Sequence, residues 1–277
     1  MTTSPRPVIR RVCVCVPTYD EAGNVEMIVR RIRAAVPQAD VLVLDDASPD
    51  GTGEIADRLA AEDGRVHVLH RPGKQGLGPA YLAGFAWALE RDHDAVVQID
   101  ADGSHQPEQL PDLLAAAADA DVVVGSRYVP GGTVHNWPAH RRALSVGANT
   151  YARLLLGIPV HDATAGFRVY RASALRAMDT AAVASQGYCF QVDLTLRALD
   201  EGLRVVEVPV AFVEREVGTS KMDDAIVREA ALRVGVWGAR RRWRQVRGHL
   251  ARGTGARERA GAAGRSPRWH HLEEDVP

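Results

Sequence analysis

The chain has 277 residues, 46% of them hydrophobic, enough to bury one substantial core, and its formal net charge of -1 argues against a globally basic nucleic-acid binder. Cys13, Cys15 and Cys189 fit no disulfide framework or zinc spacing, which points to a reducing cytoplasm. No apolar run approaches the roughly 20 residues that span a bilayer, and Val12 to Val16 is too short for a signal-peptide core, so a soluble or peripheral protein is expected.

Residues 1–11 read as an N-terminal extension. Short β-branched runs follow at Val12 to Val16, Val41 to Leu44, Val66 to Leu69, Ala95 to Ile99 and Val122 to Val124, each read as a strand. Between them, apolar residues recur at helical spacing: Val25, Ile28, Val29, Ile32 and Val36; Ile55 and Leu59; Leu82, Phe85 and Leu89; Leu110, Leu113 and Leu114. This βαβα order predicts an α/β protein with a mostly parallel central sheet and helices on both faces. Cys13 and Cys15 are expected to share one buried strand face. The stretch Val129 to Asn136, with Pro130-Gly131-Gly132, reads as a mobile loop. A helix around Leu144 to Leu156, a strand at Phe167 to Tyr170, a helix at Phe190 to Leu199 and a strand at Val205 to Val213 complete the predicted body, taken as residues 12–221. A basic amphipathic helical region at 222–250 and a disordered tail at 251–277, rich in Gly, Ala, Arg and Pro, are expected beyond it.

Polar clusters follow several of the strands, and in an α/β sheet such positions converge on one crevice. The most informative is Asp100-Ala101-Asp102. On a strand, residues i and i+2 share a face, and two carboxylates there repel unless a cation lies between them, so the pair can hold a divalent metal. A plain turn is the alternative for an isolated Asp-x-Asp. Asp45 and Asp46 end the second strand, where an acid can accept hydrogen bonds from ribose hydroxyls or base N–H groups. Ser48, Asp50 and Thr52 read as caps or turn formers. The chain has no G-x-G-x-x-G after its first strand and no Walker A pattern, leaving a metal-bridged diphosphate as the fitting arrangement.

Pro17 to Glu21, the Asp45-Asp46 cluster with Ser48 to Thr52, and Asp100 to His105 resemble family 2 glycosyltransferases. Gly125 to Tyr128, Ala165 to Tyr170, Gly187 to Gln191 and Gly218 to Met222 are similar, more narrowly, to dolichyl or polyprenyl phosphate mannosyltransferases. The resemblance covers roughly residues 12–240. It implies a GT-A nucleotide-diphospho-sugar transferase fold, GDP-mannose as donor, a polyprenyl monophosphate lipid as acceptor, and a Mg²⁺ or Mn²⁺ ion. Carried over by motif, Pro17, Tyr19, Glu21, Leu44 and Asp46 would hold the nucleoside, with Asp100, Ala101 and Asp102 at the diphosphate. Asp100, Asp102 and Ser104 would be the metal ligands. Arg127, Arg141 and Ser145 would meet the acceptor phosphate, Asp102 and Arg127 would carry catalysis, and Arg215 and Lys221 would close over the donor. Asp20 and Ala47 depart from the pattern, standing where relatives often carry Asn, and Gly or Asn.

A phosphate monoester is largely a dianion at pH 7, so it needs no general base, and none is assigned; His105 reads as structural. The expected reaction is an inverting displacement giving β-mannosyl phosphoprenol. Arginines crowd the stretch from Arg240 to Arg268, interleaved near its start with Trp237, Trp243, Val246 and Leu250, a pattern suited to an anionic membrane surface. The alternatives are a solvated helix packing its tryptophans on the domain, or a membrane-protein partner; nucleic acid has no other support. A peripheral place at the cytoplasmic face of a membrane is expected. A UDP-glucose enzyme with the same acceptor and a membrane-binding scaffold on an inactive fold are the competing functional readings.

Overall fold

The computed structural model describes residues 6–180, 183, 188–214, 231–239 and 241–242. Its centre is a seven-stranded sheet in the order β3-β2-β1-β4-β7-β5-β8. The first four of these are β1 (Val12–Thr18), β2 (Asp40–Asp45), β3 (Val66–His70) and β4 (Ala95–Gln98), all parallel. β5 (Val122–Ser126) and β8 (Val205–Pro209) pair in parallel, whereas β7 (Arg168–Arg171) is inserted antiparallel between β4 and β5. The expected mostly parallel sheet is therefore present, with one reversed strand.

The pleat of β1 explains how the sequence covers both faces. Val12, Val14 and Val16 pack against Val25, Ile28 and Ile32 of α1 (Val25–Ala35), while Cys13 and Cys15 face the opposite core with Tyr81 and Phe85 of α3 (Leu77–Glu90). Helices α2 (Thr52–Glu62) and α4 (Leu110–Ala116) join the α1 side of the molecule; α6 (Ala172–Ala177) and α7 (Tyr188–Asp200) join the α3 side. A third cluster joins α5 (Ala139–Leu156) to α7 and to a helical segment at 231–239, through Ala152, Leu156, Val192 and Val234.

Four local expectations are corrected. The loop predicted from Val129 to Asn136 contains β6 (Thr133–His135), which pairs in parallel with β9 (Ala211–Val213). The single strand predicted from Val205 to Val213 breaks at Val210. Pro209, which has no N–H to donate, is the last residue paired with β5, and the chain then turns away to meet β6. Finally, β4 ends at Gln98, so Asp100 and Asp102 lie in the turn beyond it and owe their common direction to that turn rather than to the strand pleat. Helix α5 also begins before the predicted Leu144, bringing Arg141 into its first turn.

Candidate active site

A cleft of about 890 Å³ opens at the carboxyl ends of the strands. Chain order runs outward from β1 in one direction through β2 and β3 and in the other through β4, so the crevice between β1 and β4 is the switch point of the sheet, where ligands of open α/β folds bind. Pro17 and Tyr19 come to it from β1 and the loop beyond, Asp46 from the end of β2, Asp100 to Asp102 from β4, and Arg127 from β5.

On the β1–β2 side, Pro17, Tyr19, Glu21 and Asp46 line the cleft. Leu44 does not: it is fully buried in the core beside Tyr81 and Phe85. The adjacent acids divide. Asp45 turns inward, accepting hydrogen bonds from Ser48 Oγ at 2.5 Å and Thr18 Oγ1 at 3.3 Å, so it shapes the loop. Asp46 faces the cleft but is paired with Arg71 and accepts from the Gln75 backbone N–H at 3.4 Å. Lys74 also lines the cleft, its ammonium 4.2 Å from the centre of the Tyr19 ring. Ser48, Asp50 and Thr52 bind the two loops together: the backbone N–H groups of Asp20, Glu21 and Ala22 donate to Ser48 Oγ, Thr52 Oγ1 and Asp50 Oδ2 at 3.2, 3.0 and 3.0 Å.

Asp100, Ala101 and Asp102 line the middle of the cleft. Asp100 accepts a hydrogen bond from the buried Tyr81 hydroxyl at 3.2 Å; burial first, then the nearby Asp100 charge, hold that phenol well above its ordinary pKa, so it stays a donor. Asp102 folds its turn by accepting from the Ser104 N–H at 3.0 Å. Ser104 meets Asp102 through its backbone N–H, but the residue is buried and does not line the cleft with the two carboxylates. His105 is enclosed between Phe167 and Phe212, with ring centres 5.4 and 5.1 Å away, and burial lowers its pKa to about 4, leaving a neutral imidazole at pH 7. A methyl group on Gly166 would lie 3.2 Å from Asp100 Oδ2, so the glycine provides the floor on which that carboxylate rests. Among the described residues no group of three His, Cys, Asp or Glu side chains forms a metal cage. Two cleft-facing carboxylates still suit a divalent ion whose remaining ligands are phosphate oxygens and water, which is the hard-oxygen chemistry Mg²⁺ or Mn²⁺ favours.

The third part of the cleft is cationic. Arg127 is held rigidly by Asp162, its Nε and Nη2 donating to the two carboxylate oxygens at 2.7 Å each, with a further bond from its backbone N–H at 3.0 Å. Asp162 is wholly buried; burial pushes its pKa up, but the Arg127 charge and hydrogen bonds outweigh it and hold the carboxyl below its ordinary range. Arg141 pairs with Glu214 at 2.5 Å and stacks on Trp137 at 4.4 Å. Ser145 accepts from the Tyr128 hydroxyl at 2.7 Å. Arg127, Arg141 and Ser145 thus meet on one wall, which continues into an apolar surface built from Leu144, Ala148, Tyr151, Val192 and Val234.

Arg215 and Lys221 lie outside the described residues, as does the Gly218 segment that carries them. Sequence reasoning missed Arg71, Lys74, Tyr81, Trp137 and Asp162. The flanking glycines in Gly73-Lys74-Gln75-Gly76 were a usable signal for a lysine-bearing loop, and Asp162-Ala163-Thr164 just before a strand was one for Asp162. Of the tryptophans set beside the basic stretch, Trp237 packs on the domain with Leu199 and Val205, and Arg241 pairs with Asp200 at 2.5 Å. That is the arrangement of a helix docked on the domain. Trp243, Val246 and Leu250 lie outside the described residues.

A profile of glycosyl transferase family 2 matches residues 13–178. An undecaprenyl-phosphate mannosyltransferase of Micrococcus luteus is 55% identical over 240 residues, covering 87% of this chain and 99% of that protein. A polyprenol monophosphomannose synthase of Mycolicibacterium smegmatis is 56% identical over 241 residues, covering 86% and 91%. Among solved structures, glucosyl-3-phosphoglycerate synthase from Mycobacterium tuberculosis, in complex with Mn²⁺, UDP and glucosyl-3-phosphoglycerate, has a TM-score of 0.58 at 20% identity, covering 81% of this chain and 77% of that one. A mannosyltransferase from Pyrobaculum calidifontis, in complex with GDP-mannose and Mn²⁺, has a TM-score of 0.52 at 20% identity, covering 87% and 66%. These structures share the GT-A fold. The extent of the profile match and of the two close sequence relatives places this chain in glycosyl transferase family 2.

Proposed function

We propose that the cleft transfers mannose from GDP-mannose to the phosphate of a polyprenyl monophosphate, releasing GDP and giving a β-mannosyl phosphoprenol. One observation carries this reading: two carboxylates, two guanidinium groups and an apolar wall stand in sequence along one cleft. A nucleotide sugar needs the first, an acceptor phosphate the second and an isoprenoid chain the third. The names of the two close relatives agree with it.

On this reading Pro17, Tyr19, Glu21 and Asp46 contact the nucleoside, and Lys74 stands ready for an anionic oxygen of the donor. Asp100 and Asp102 hold a Mg²⁺ or Mn²⁺ ion, which when bound offsets charge on the departing diphosphate. Arg127, fixed by Asp162, and Arg141 orient the acceptor phosphate; preset cations of this kind stabilise developing charge without reorganising. The acceptor is already ionised near pH 7, so attack on the anomeric carbon proceeds without a protein base, and His105, enclosed between Phe167 and Phe212, is given no proton to carry. Arg215 and Lys221 complete the donor site in this proposal.

No helix among the described residues is long and apolar enough to cross a membrane. The lipid acceptor supports work at the cytoplasmic surface of a membrane, with the basic region at 222–250 or a membrane-protein partner holding the enzyme there. The test supplies purified protein with polyprenyl phosphate, Mg²⁺ or Mn²⁺, and a panel of labelled nucleotide sugars. GDP-mannose alone should label an acid-labile lipid phosphate sugar. Labelling from UDP-glucose instead, or membrane binding with no turnover of any donor, would replace the proposal.

A further inference from the structure

Gln191, on the first turn of α7, belongs to a sequence motif that none of the roles above uses. Its backbone carbonyl is clamped from below, accepting hydrogen bonds from the fully buried Arg168 Nη1 at 3.1 Å and from Thr195 Oγ1 at 2.8 Å. The residue lines the cleft at 2% exposure, yet among the described residues neither its Oε1 nor its Nε2 has a hydrogen-bond partner. A buried amide with both poles unmet is rare in folded proteins, and a ligand that supplies both partners removes the anomaly.

The topology says which part of a ligand that is. β7, which carries Arg168, lies between β4, which delivers Asp100, and β5, which delivers Arg127. Beside Gln191, Phe190 stacks on Tyr81 at 6.2 Å, and Tyr81 donates to Asp100. Gln191 therefore stands between the carboxylate and guanidinium ends of the cleft, where the transferred sugar must lie if donor diphosphate and acceptor phosphate occupy those ends. Hydrogen-bond chemistry selects the same group. A phosphate dianion only accepts and an isoprenoid does neither, whereas a sugar hydroxyl donates and accepts, matching both poles of an amide.

We propose that Gln191 is a specificity-determining residue that reads a hydroxyl of the transferred sugar through its side-chain amide. This inference rests on the functional reading above, and its test separates the two. Wild-type enzyme and the Gln191→Met and Gln191→Glu variants are compared on GDP-mannose and on analogues each lacking one sugar hydroxyl, with GDP affinity and thermal unfolding measured in parallel.

For wild type, one analogue should lose about 10- to 100-fold in kcat/KM. Gln191→Met should lose the same factor on GDP-mannose and nothing further on that analogue. It should bind GDP, which has no sugar, within about twofold of wild type, and unfold at the same or a higher temperature because an unmet amide is gone. Gln191→Glu, which keeps the acceptor pole and loses the donor pole, should fall between.

The inference is overturned if Gln191→Met turns over every substrate as wild type does, since the amide then meets only water. Equal losses on all analogues, or weakened GDP binding with a lowered unfolding temperature, would also overturn it by making the residue structural. If wild type uses another nucleotide sugar, the functional proposal falls, and the same comparison on that sugar decides the role of Gln191.

Discussion

Arg127 shows how a single side chain becomes a tool. A surface arginine is a solvated charge; this one is only 8% exposed, and Asp162 fixes its Nε and Nη2 at 2.7 Å so that the guanidinium is aimed before any anion arrives. Removing one partner of a buried pair strands the other, so Asp162→Ala should cost about 3–5 kcal/mol in urea unfolding and reduce turnover as Arg127 loses its aim. The pair also sets an acid limb. Because the folded Asp162 carboxyl lies below its ordinary value of 3.8, the unfolded chain takes up the proton first on acidification. Its contribution is therefore complete above about pH 4 and is lost as pH falls through the folded value; Asp162→Ala should show a shallower loss of stability in that range. The acids after β2 were legible as a cluster, but which of them faces the cleft was not, because Ser48 and Arg71 decide it and Arg71 comes from the end of β3, far along the chain.

At the scale of elements, the loops after β1 and β2 are bound into one rim by the bonds to Ser48, Asp50 and Thr52, which is why those polar residues are more than helix caps. The same rim explains the two departures from the family pattern. Asp20 and Ala47 both take left-handed backbone, with φ of 57° and 56°, a conformation that Asn and Gly tolerate better. Ala47→Gly should therefore stabilise the protein by about 0.5–1 kcal/mol, read from the denaturation midpoint; destabilisation would mean that the flexibility gained by the unfolded chain outweighs the strain relieved. Strands β1, β2, β4 and β5 were legible because each is an apolar run buried on both faces. β6 was not, and neither was the break that separates β9 from β8, since three-residue strands exist only through pairing with a partner distant in sequence. The reversed direction of β7 is likewise a property of its neighbours rather than of Arg168 to Arg171.

For the whole molecule, the sheet gathers onto one rim residues that are remote in sequence: Tyr19, Asp46, Asp100, Asp102, Arg127 and Arg141 share a cleft. Most of that set was readable as polar clusters following strands. Leu44 and Ser104, carried over by motif alone, lie in the interior, because motif position does not say which way a side chain turns. The account depends on the Asp100-Ala101-Asp102 turn being the centre of the transfer reaction, and Asp102→Ala tests that most directly. In the polyprenyl phosphate assay with GDP-mannose and Mg²⁺ or Mn²⁺, the variant should lose metal-dependent transfer by at least about 10³-fold while unfolding at essentially the wild-type temperature. Full transfer activity in that variant would contradict the assignment.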